Sequence, residues 1–320
     1  MKFSIVPYQG DSPMKPWPSL AGKAFCLKSD SGSSQSSQSI FYYDSPPIAG
    51  NMSTETAASS PVFVLIHGLG DEADSWRHLI PLLNANGCRA LALDLPGFGR
   101  SVAAGRISFK GHAAAVIDLI EALKVTGPLF LVGSSMGALL AEAVAIQKPK
   151  LAQGLVLIGG SIPGRPPSPG LFALAKHLFS RKWYRSYRNA PKEAWASLHP
   201  YYADLDSMPF VDREFLKERV MARVQSSTQE QAFFATNRSV VFSFMFASPR
   251  FTRKIRAFKG KILLIWGEKD RIIPLSCANT FKTLRQETEL KVITGAGHLP
   301  QQENPVETAR FIAELIESKP

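Results

Sequence analysis

Ser135 stands in the run Gly133-Ser134-Ser135-Met136-Gly137, entered by the apolar stretch Leu129–Val132 and left by the small-residue stretch Ala138–Ala145. A serine with glycine two residues before and after it, between a strand and a helix, has the form of a nucleophile elbow. The requirement is steric. A chain that passes from strand to helix within one residue forces that residue into strained angles, and small neighbours let the adjoining backbone approach. The turn exposes the hydroxyl, and the N–H groups that open the new helix point at the same spot. The chemistry on offer is attack by a serine oxygen on a carbonyl carbon. A serine hydroxyl is a poor nucleophile at neutral pH, so it needs a base, and the base needs an orienting carboxylate.

Two further loops offer these groups. The apolar run Ile262–Ile265 ends in Trp266-Gly267-Glu268-Lys269-Asp270, and Leu290–Ile293 ends in Thr294-Gly295-Ala296-Gly297-His298-Leu299-Pro300. Ligands of open parallel sheets bind at the C-terminal ends of the strands, which places Ser135, His298 and either Asp270 or Glu268 together. Among the other histidines, His67 directly follows the apolar run Pro61–Ile66, and His78 is expected to face solvent. His112, His177 and His199 sit in helix-like contexts and read as structural or exposed.

These groups need a scaffold, and the chain supplies an alternation of strands and helices. Ala24–Lys28 and Ser39–Tyr43 read as edge strands joined by the polar loop Ser29–Gln38, and a second Ser/Thr/Ala-rich loop, Gly50–Ser60, leads into Pro61–Ile66. That run, like Arg89–Leu93, Leu129–Val132 and Leu155–Ile158, has the continuous apolar character of a strand buried on both faces. Asp74-Ser75 is expected to cap a helix over Trp76–Asn84, and Phe109–Leu123 has helical spacing. A Gly/Pro-rich junction, Gly159–Gly170, ends the alternation. The segment that follows is aromatic and basic, with helical periodicity in Leu171–Phe179 and Phe215–Val224. Alternation resumes near Lys261 and closes with a helix over Pro305–Ser318. The pattern is an α/β sheet interrupted by one helical insertion.

On these motifs the chain resembles the α/β-hydrolase fold serine hydrolases, in particular the lidded carboxylesterase- and lipase-like subfamily. His67-Gly68-Leu69-Gly70, Asp94-Leu95-Pro96-Gly97-Phe98-Gly99, the Ser135 elbow, Gly267-Glu268-Lys269-Asp270 and Gly295-Ala296-Gly297-His298 occur in the family's order. The chain order Ser135, Asp270, His298 is also the family's. The resemblance implies a mostly parallel sheet flanked by helices with a helical lid inserted after the sixth core strand. Residues 1–160 and 256–320 would then form the core, and 161–255 the lid. It further implies Ser135 as nucleophile, His298 as base, Asp270 as acid, and the backbone N–H groups of Leu69 and Met136 as oxyanion hole. His67, Gly68, Gly133 and Gly137 support the motifs, with His67 holding the turn. Asp94 reads as a loop residue, and Ser134 is aimed away from the site. The chemistry needs no metal or organic cofactor.

The implied reaction is hydrolysis of a small-molecule ester with an apolar acyl or alcohol group, through an acyl-enzyme. Alternatives are a C–C bond hydrolase of ring-cleavage products, a cofactor-free haloperoxidase or perhydrolase, and a catalytically silent binding module. The C–C reading ranks lower because Gly70-Asp71-Glu72 stands where such enzymes carry Gly-Pro-Gly. Epoxide hydrolases and dehalogenases need a carboxylate nucleophile, which Ser135 excludes.

Composition sets the remaining bounds. The 320 residues are 45% hydrophobic, with a net charge of +11, and residues 165–261 hold 18 Lys/Arg against 7 Asp/Glu. The basic charge therefore sits in the insertion. There Arg181, Lys182, Arg185 and Arg188 form a candidate contact with an anionic membrane surface, whereas no nucleic-acid module is present. Three dispersed cysteines suggest a reducing compartment. With no apolar run long enough to span a bilayer and no secretory signal, the expected location is the cytoplasm.

Overall fold

A computed structural model describes residues 2–8, 12–28, 38–48, 59–105, 107–161 and 180–317. The polar run over 29–37, most of the Gly50–Ser60 loop, the Pro-rich junction beyond Ser161 and the stretch Leu171–Phe179 with His177 lie outside the described residues. The described strands are β1 (Lys2–Pro7), β2 (Gly22–Lys28), β3 (Gln38–Ser45), β4 (Val62–Ile66), β5 (Arg89–Leu93), β6 (Leu129–Ser134), β7 (Gly154–Ile158), β8 (Lys261–Gly267) and β9 (Glu289–Ile293). They form one sheet in the order β1-β2-β3-β5-β4-β6-β7-β8-β9. The pairs β1–β2, β2–β3 and β3–β5 are antiparallel, and the remaining neighbours are parallel. Strand β1 was not expected from the sequence. It pairs with β2 along its whole length as an outer strand, with Phe3, Ile5 and Val6 exposed.

The strand interiors are apolar in both directions because both faces are covered. Side chains alternate across a strand. Val64, Leu131 and Leu157 thus join one core layer with α2 (Phe109–Ala122) and α3 (Met136–Gln147). Phe63, Val132 and Val156 join the other with α1 (Leu79–Ala85) and the C-terminal helix. The expected cap at Asp74-Ser75 does not form. Ala73–Trp76 is a single 3-10 turn, and α1 begins at Leu79. Asp74 instead accepts from the Tyr43 hydroxyl and pairs with Arg100 at 2.9 Å. A buried guanidinium outcompetes a local capping bond.

Between β7 and β8 the chain forms α4 (Arg181–Ser186), α5 (Pro191–Ala196), α6 (Phe210–Gln225) and α7 (Ser227–Arg256). Counted from β2, β7 is the sixth strand, so the helical stretch falls where the sequence pattern put it. It has small cores of its own, one around Tyr202, Leu205 and Leu216 and another around Tyr184, Val224 and Phe234. Helix α7 is tied to α2 by Phe109 N–H donating to Ser239 Oγ (2.9 Å) and by His112 Nε2 and Thr236 Oγ1 (2.8 Å apart). Two short helices, α8 (Ser276–Leu284) and α9 (Pro300–Glu303), precede the closing α10 (Pro305–Glu317). Among the described residues no helix is long and apolar enough to cross a membrane.

Candidate active site

The sheet reverses its strand order at β4, which lies between β5 and β6, so the crevice beyond β4 and β6 is a topological switch point. Ser135 sits there, directly after β6. Its φ is +55° and its ψ −117°, the strained conformation expected of the elbow. Its N–H donates to Ile158 O (2.8 Å) and its carbonyl accepts from Ala138 N–H (3.0 Å), which hold the turn from both sides. An added methyl at Gly133 would collide with Gly137 O, and one at Gly137 with Ile66 O. Both glycines are therefore required by close backbone approach. Ser135 is half-buried in an otherwise buried turn, whereas Ser134 is fully buried and accepts from Gln301 Nε2 (3.1 Å).

His298 and Asp270 meet beside it. His298 Nδ1 lies 2.8 Å from Asp270 Oδ2, and both side chains are at least 99% buried. Asp270 Oδ1 accepts from the N–H groups of Ile272 and Ile273, each at 2.8 Å, which fixes the carboxylate plane. Glu268 is exposed, and its side chain accepts from Gly295 N–H (3.1 Å), so among the described residues it is Asp270 that partners the imidazole. His298 Nε2 has no hydrogen-bond partner among the described residues. Ser135 and the pair are joined by Gly159-Gly160. A methyl on Gly159 would stand 3.2 Å from His298 Nδ1 and 3.4 Å from Asp270 Oδ2, and one on Gly160 would collide with the Ser135 carbonyl.

The loop after β4 faces the same crevice. A methyl on Gly68 would stand 3.4 Å from Ser135 Cβ and 4.0 Å from its Oγ. Leu69 follows it, and Met136 opens α3, so the Met136 N–H is one of the orphan donors of a helix start. His67 is fully buried. Its Nε2 accepts from Leu95 N–H (2.9 Å) and its Nδ1 lies 2.7 Å from Gly68 O, so it staples two loops in its neutral form. Burial lowers its pKa. His112 is likewise buried, with its pKa lowered to about 3 by burial and then by His67. His78 is not simply solvent-facing. Its Nε2 lies 2.7 Å from Asp212 Oδ1 on α6, because the inserted helices cover that face.

Two side chains of the inserted segment lie near these residues. Phe233 of α7 packs within 3.2 Å of a methyl placed on Gly70, and the Tyr201 ring centroid lies 5.9 Å from that of His298. His298 N–H donates to Tyr201 O (2.8 Å). A buried charge array missed in the sequence docks α6 onto the loop after β4. Arg223 meets both carboxylate oxygens of Glu72 at 2.7 Å and Asp71 at 2.6 Å, while Arg219 reaches Asp74 at 3.2 Å. Burial pushes the Glu72 carboxyl up, but Arg223, then Arg219 and Arg100, outweigh it and bring it down to about 2. Asp94 takes the loop role expected of it, with Arg100 Nε at 2.8 Å and Ala73 N–H at 2.7 Å. The one sequence signal for the array was Asp71-Glu72-Ala73-Asp74 directly after the His67–Gly70 motif. In the basic stretch, Arg181, Arg185 and Arg188 converge on the buried Glu230 at 2.7–2.8 Å.

The model of the alpha/beta hydrolase family matches residues 63–311, the stretch that holds Ser135, Asp270 and His298. The chain belongs to the alpha/beta hydrolase family. This alpha/beta hydrolase is 29% identical over 260 residues to the uncharacterized hydrolase YugF of Bacillus subtilis, covering 79% of this chain and 89% of YugF. It is 26% identical over 269 residues to the 2-hydroxy-6-oxo-6-(2'-aminophenyl)hexa-2,4-dienoic acid hydrolase of Metapseudomonas resinovorans, covering 82% and 86%. Among solved structures, a bacterial membrane phospholipase A superposes with a TM-score of 0.70 at 22% identity, over 92% of this chain and 85% of that one. At that identity the likeness establishes the shared fold.

Proposed function

We propose that this hydrolase cleaves carboxylic esters with an apolar acyl or alcohol group through a Ser135–His298–Asp270 triad and an acyl-enzyme. The observation that carries the reading is the Asp270–His298 pair, 2.8 Å apart, buried, with Nε2 unpartnered among the described residues, set across Gly159-Gly160 from a strained and partly exposed Ser135. Asp270 holds the proton on Nδ1, which leaves Nε2 as an acceptor for the Ser135 proton. Ser135 Oγ attacks the carbonyl, and the N–H groups of Leu69 and Met136 receive the developing oxyanion. His298 then protonates the leaving alcohol, and a water activated by the same Nε2 releases the acid. The helices between β7 and β8 act as the lid, with Phe233 and Tyr201 contributing apolar surface.

Cleavage of a C–C bond in a ring-cleavage product is the second reading, favoured by the likeness to the dienoic acid hydrolase. The ester reading ranks first because such a product carries a carboxylate. Among the described residues, Arg219 and Arg223, the arginines that α6 directs at the loop after β4, are already committed to Glu72, Asp71 and Asp74. The test is turnover of p-nitrophenyl esters from acetyl to palmitoyl, and of a ring-cleavage dienoate, by wild type and Ser135→Ala. Ester turnover that falls on the order of 10⁶-fold in the variant supports the reading. Dienoate turnover without ester turnover replaces it with the C–C reading, and ester turnover that survives Ser135→Ala overturns the triad.

A further inference from the structure

Glu142, on α3 two turns after the elbow, has no part in that mechanism, yet it is fully buried. Its Oε1 accepts from the Ser161 hydroxyl at 2.7 Å, and its Oε2 has no partner among the described residues. Ser161 is also fully buried, and its φ of +146° is a conformation that L residues rarely adopt. A non-glycine residue stays there only when its surroundings over-determine it, and the Glu142 bond is what grips its side chain. Immediately before it, Gly159 and Gly160 are the two residues wedged between the Ser135 backbone and the His298–Asp270 pair. Gly159 has a φ of +53°, and its N–H donates to Ile265 O at 3.0 Å.

Resting on the triad reading, we propose that Glu142 is a positioning residue: through Ser161 it clamps Gly159-Gly160 so that Ser135 and the His298–Asp270 pair keep their separation. Glu142 does not touch the reacting atoms. Its helix begins at Met136, so the side chain ties the C-terminal end of β7 to the same helix that presents the elbow. The carboxyl is held by burial in its neutral form, with its pKa raised to about 8, opposed only by the Ser161 bond. A neutral acid can bond Ser161 without burying an unpaired charge. An amide of the same shape can do so too.

The decisive experiment measures kcat and KM for ester hydrolysis, together with Ser135 labelling by a fluorophosphonate probe, in wild type, Ser161→Ala, Glu142→Ala, the double variant and Glu142→Gln. A displacement of the clamp by about 1 Å is expected to cost kcat about 10²-fold. The expected result is that loss in both single variants with KM unchanged within about twofold, no further loss in the double variant, and near-wild-type kcat in Glu142→Gln. Ser161→Ala removes one hydroxyl and preserves the chain's packing, so it answers even where Glu142→Ala does not fold. Wild-type kcat in Ser161→Ala, or losses that multiply in the double variant, overturns the clamp. A wild-type enzyme that neither labels nor turns over ester refutes the triad reading itself and is thereby distinguished from failure of the clamp.

Discussion

Arg223→Met isolates the charge array that docks α6 onto the loop carrying Leu69. In the folded protein Glu72 is 1% exposed and takes two of its hydrogen bonds, both 2.7 Å, from Arg223, with Arg219 farther off at 3.8 Å. Its carboxyl falls from the usual 4.5 to about 2, because Arg223 and its neighbours outweigh burial. At about 1.4 kcal/mol per decade that drop is worth about 3 kcal/mol. Removing Arg223 takes away the chief opponent of burial, so the expected loss of stability at pH 8 is about 3–5 kcal/mol. In thermal unfolding of a 320-residue chain this corresponds to roughly 4–8 °C. The pH dependence follows from the sign. In wild type the folded carboxyl has the lower pKa, so its contribution is present above about 4.5 and is lost as pH falls towards about 2. In the variant the desolvated carboxyl favours its protonated form, so the variant gains more stability than wild type as pH falls from 8 to 5 and the gap between them narrows. Melting curves at both pH values, with Glu72→Gln/Arg223→Met as the rescue, test this. An unchanged melting temperature at pH 8, or a gap that stays constant between pH 8 and 5, refutes the account of a buried charge held by Arg223.

Three further outcomes follow from the site. Asp270→Asn is expected to lower kcat about 10⁴-fold with folding intact, because the amide no longer holds the Nδ1-protonated tautomer; steady-state kinetics beside circular dichroism checks it. Gly160→Ala places a methyl against the Ser135 carbonyl and is expected to abolish fluorophosphonate labelling or folding, whereas Gly87→Ala, whose methyl meets no atom within 4 Å, leaves labelling unchanged. Glu142→Gln is expected to flatten the pH dependence of stability. The folded carboxyl is pushed up to about 8 against an ordinary 4.5, so wild type loses about 3–4 kcal/mol between pH 5 and pH 8; urea unfolding at those two pH values reads the difference.

The strands and the elbow were legible because the features that form them are local. Leu129–Val132 is apolar throughout because β6 has a core layer on each face, and Gly133 and Gly137 are small because Ile66 and Gly137 carbonyls press on them. Asp270 and His298 could be placed at strand ends by the same periodicity, and the structure brings them within 2.8 Å. Strand β1 escaped notice because an outer strand with one solvated face lacks that continuous apolar signal. The cap assigned to Asp74 failed for the opposite reason: its partners, Tyr43 and Arg100, lie 31 and 26 positions away.

The amino-acid order by itself determined the buried strands, their interruption by helices and the order in which Ser135, Asp270 and His298 arrive at strand ends. Each of these depends on periodicity, glycine spacing and turn chemistry within a few residues. The tertiary structure decided which carboxylate meets His298, that Ser134 turns inward to Gln301, and that the arginines of α6 face inward to Glu72, Asp71 and Asp74. It also decided that Glu142 lies buried against Ser161. A charge's role depends on what stands opposite it after folding. Partners such as Glu72 and Arg223, 151 positions apart, are joined only by the packing of the whole sheet and its inserted helices.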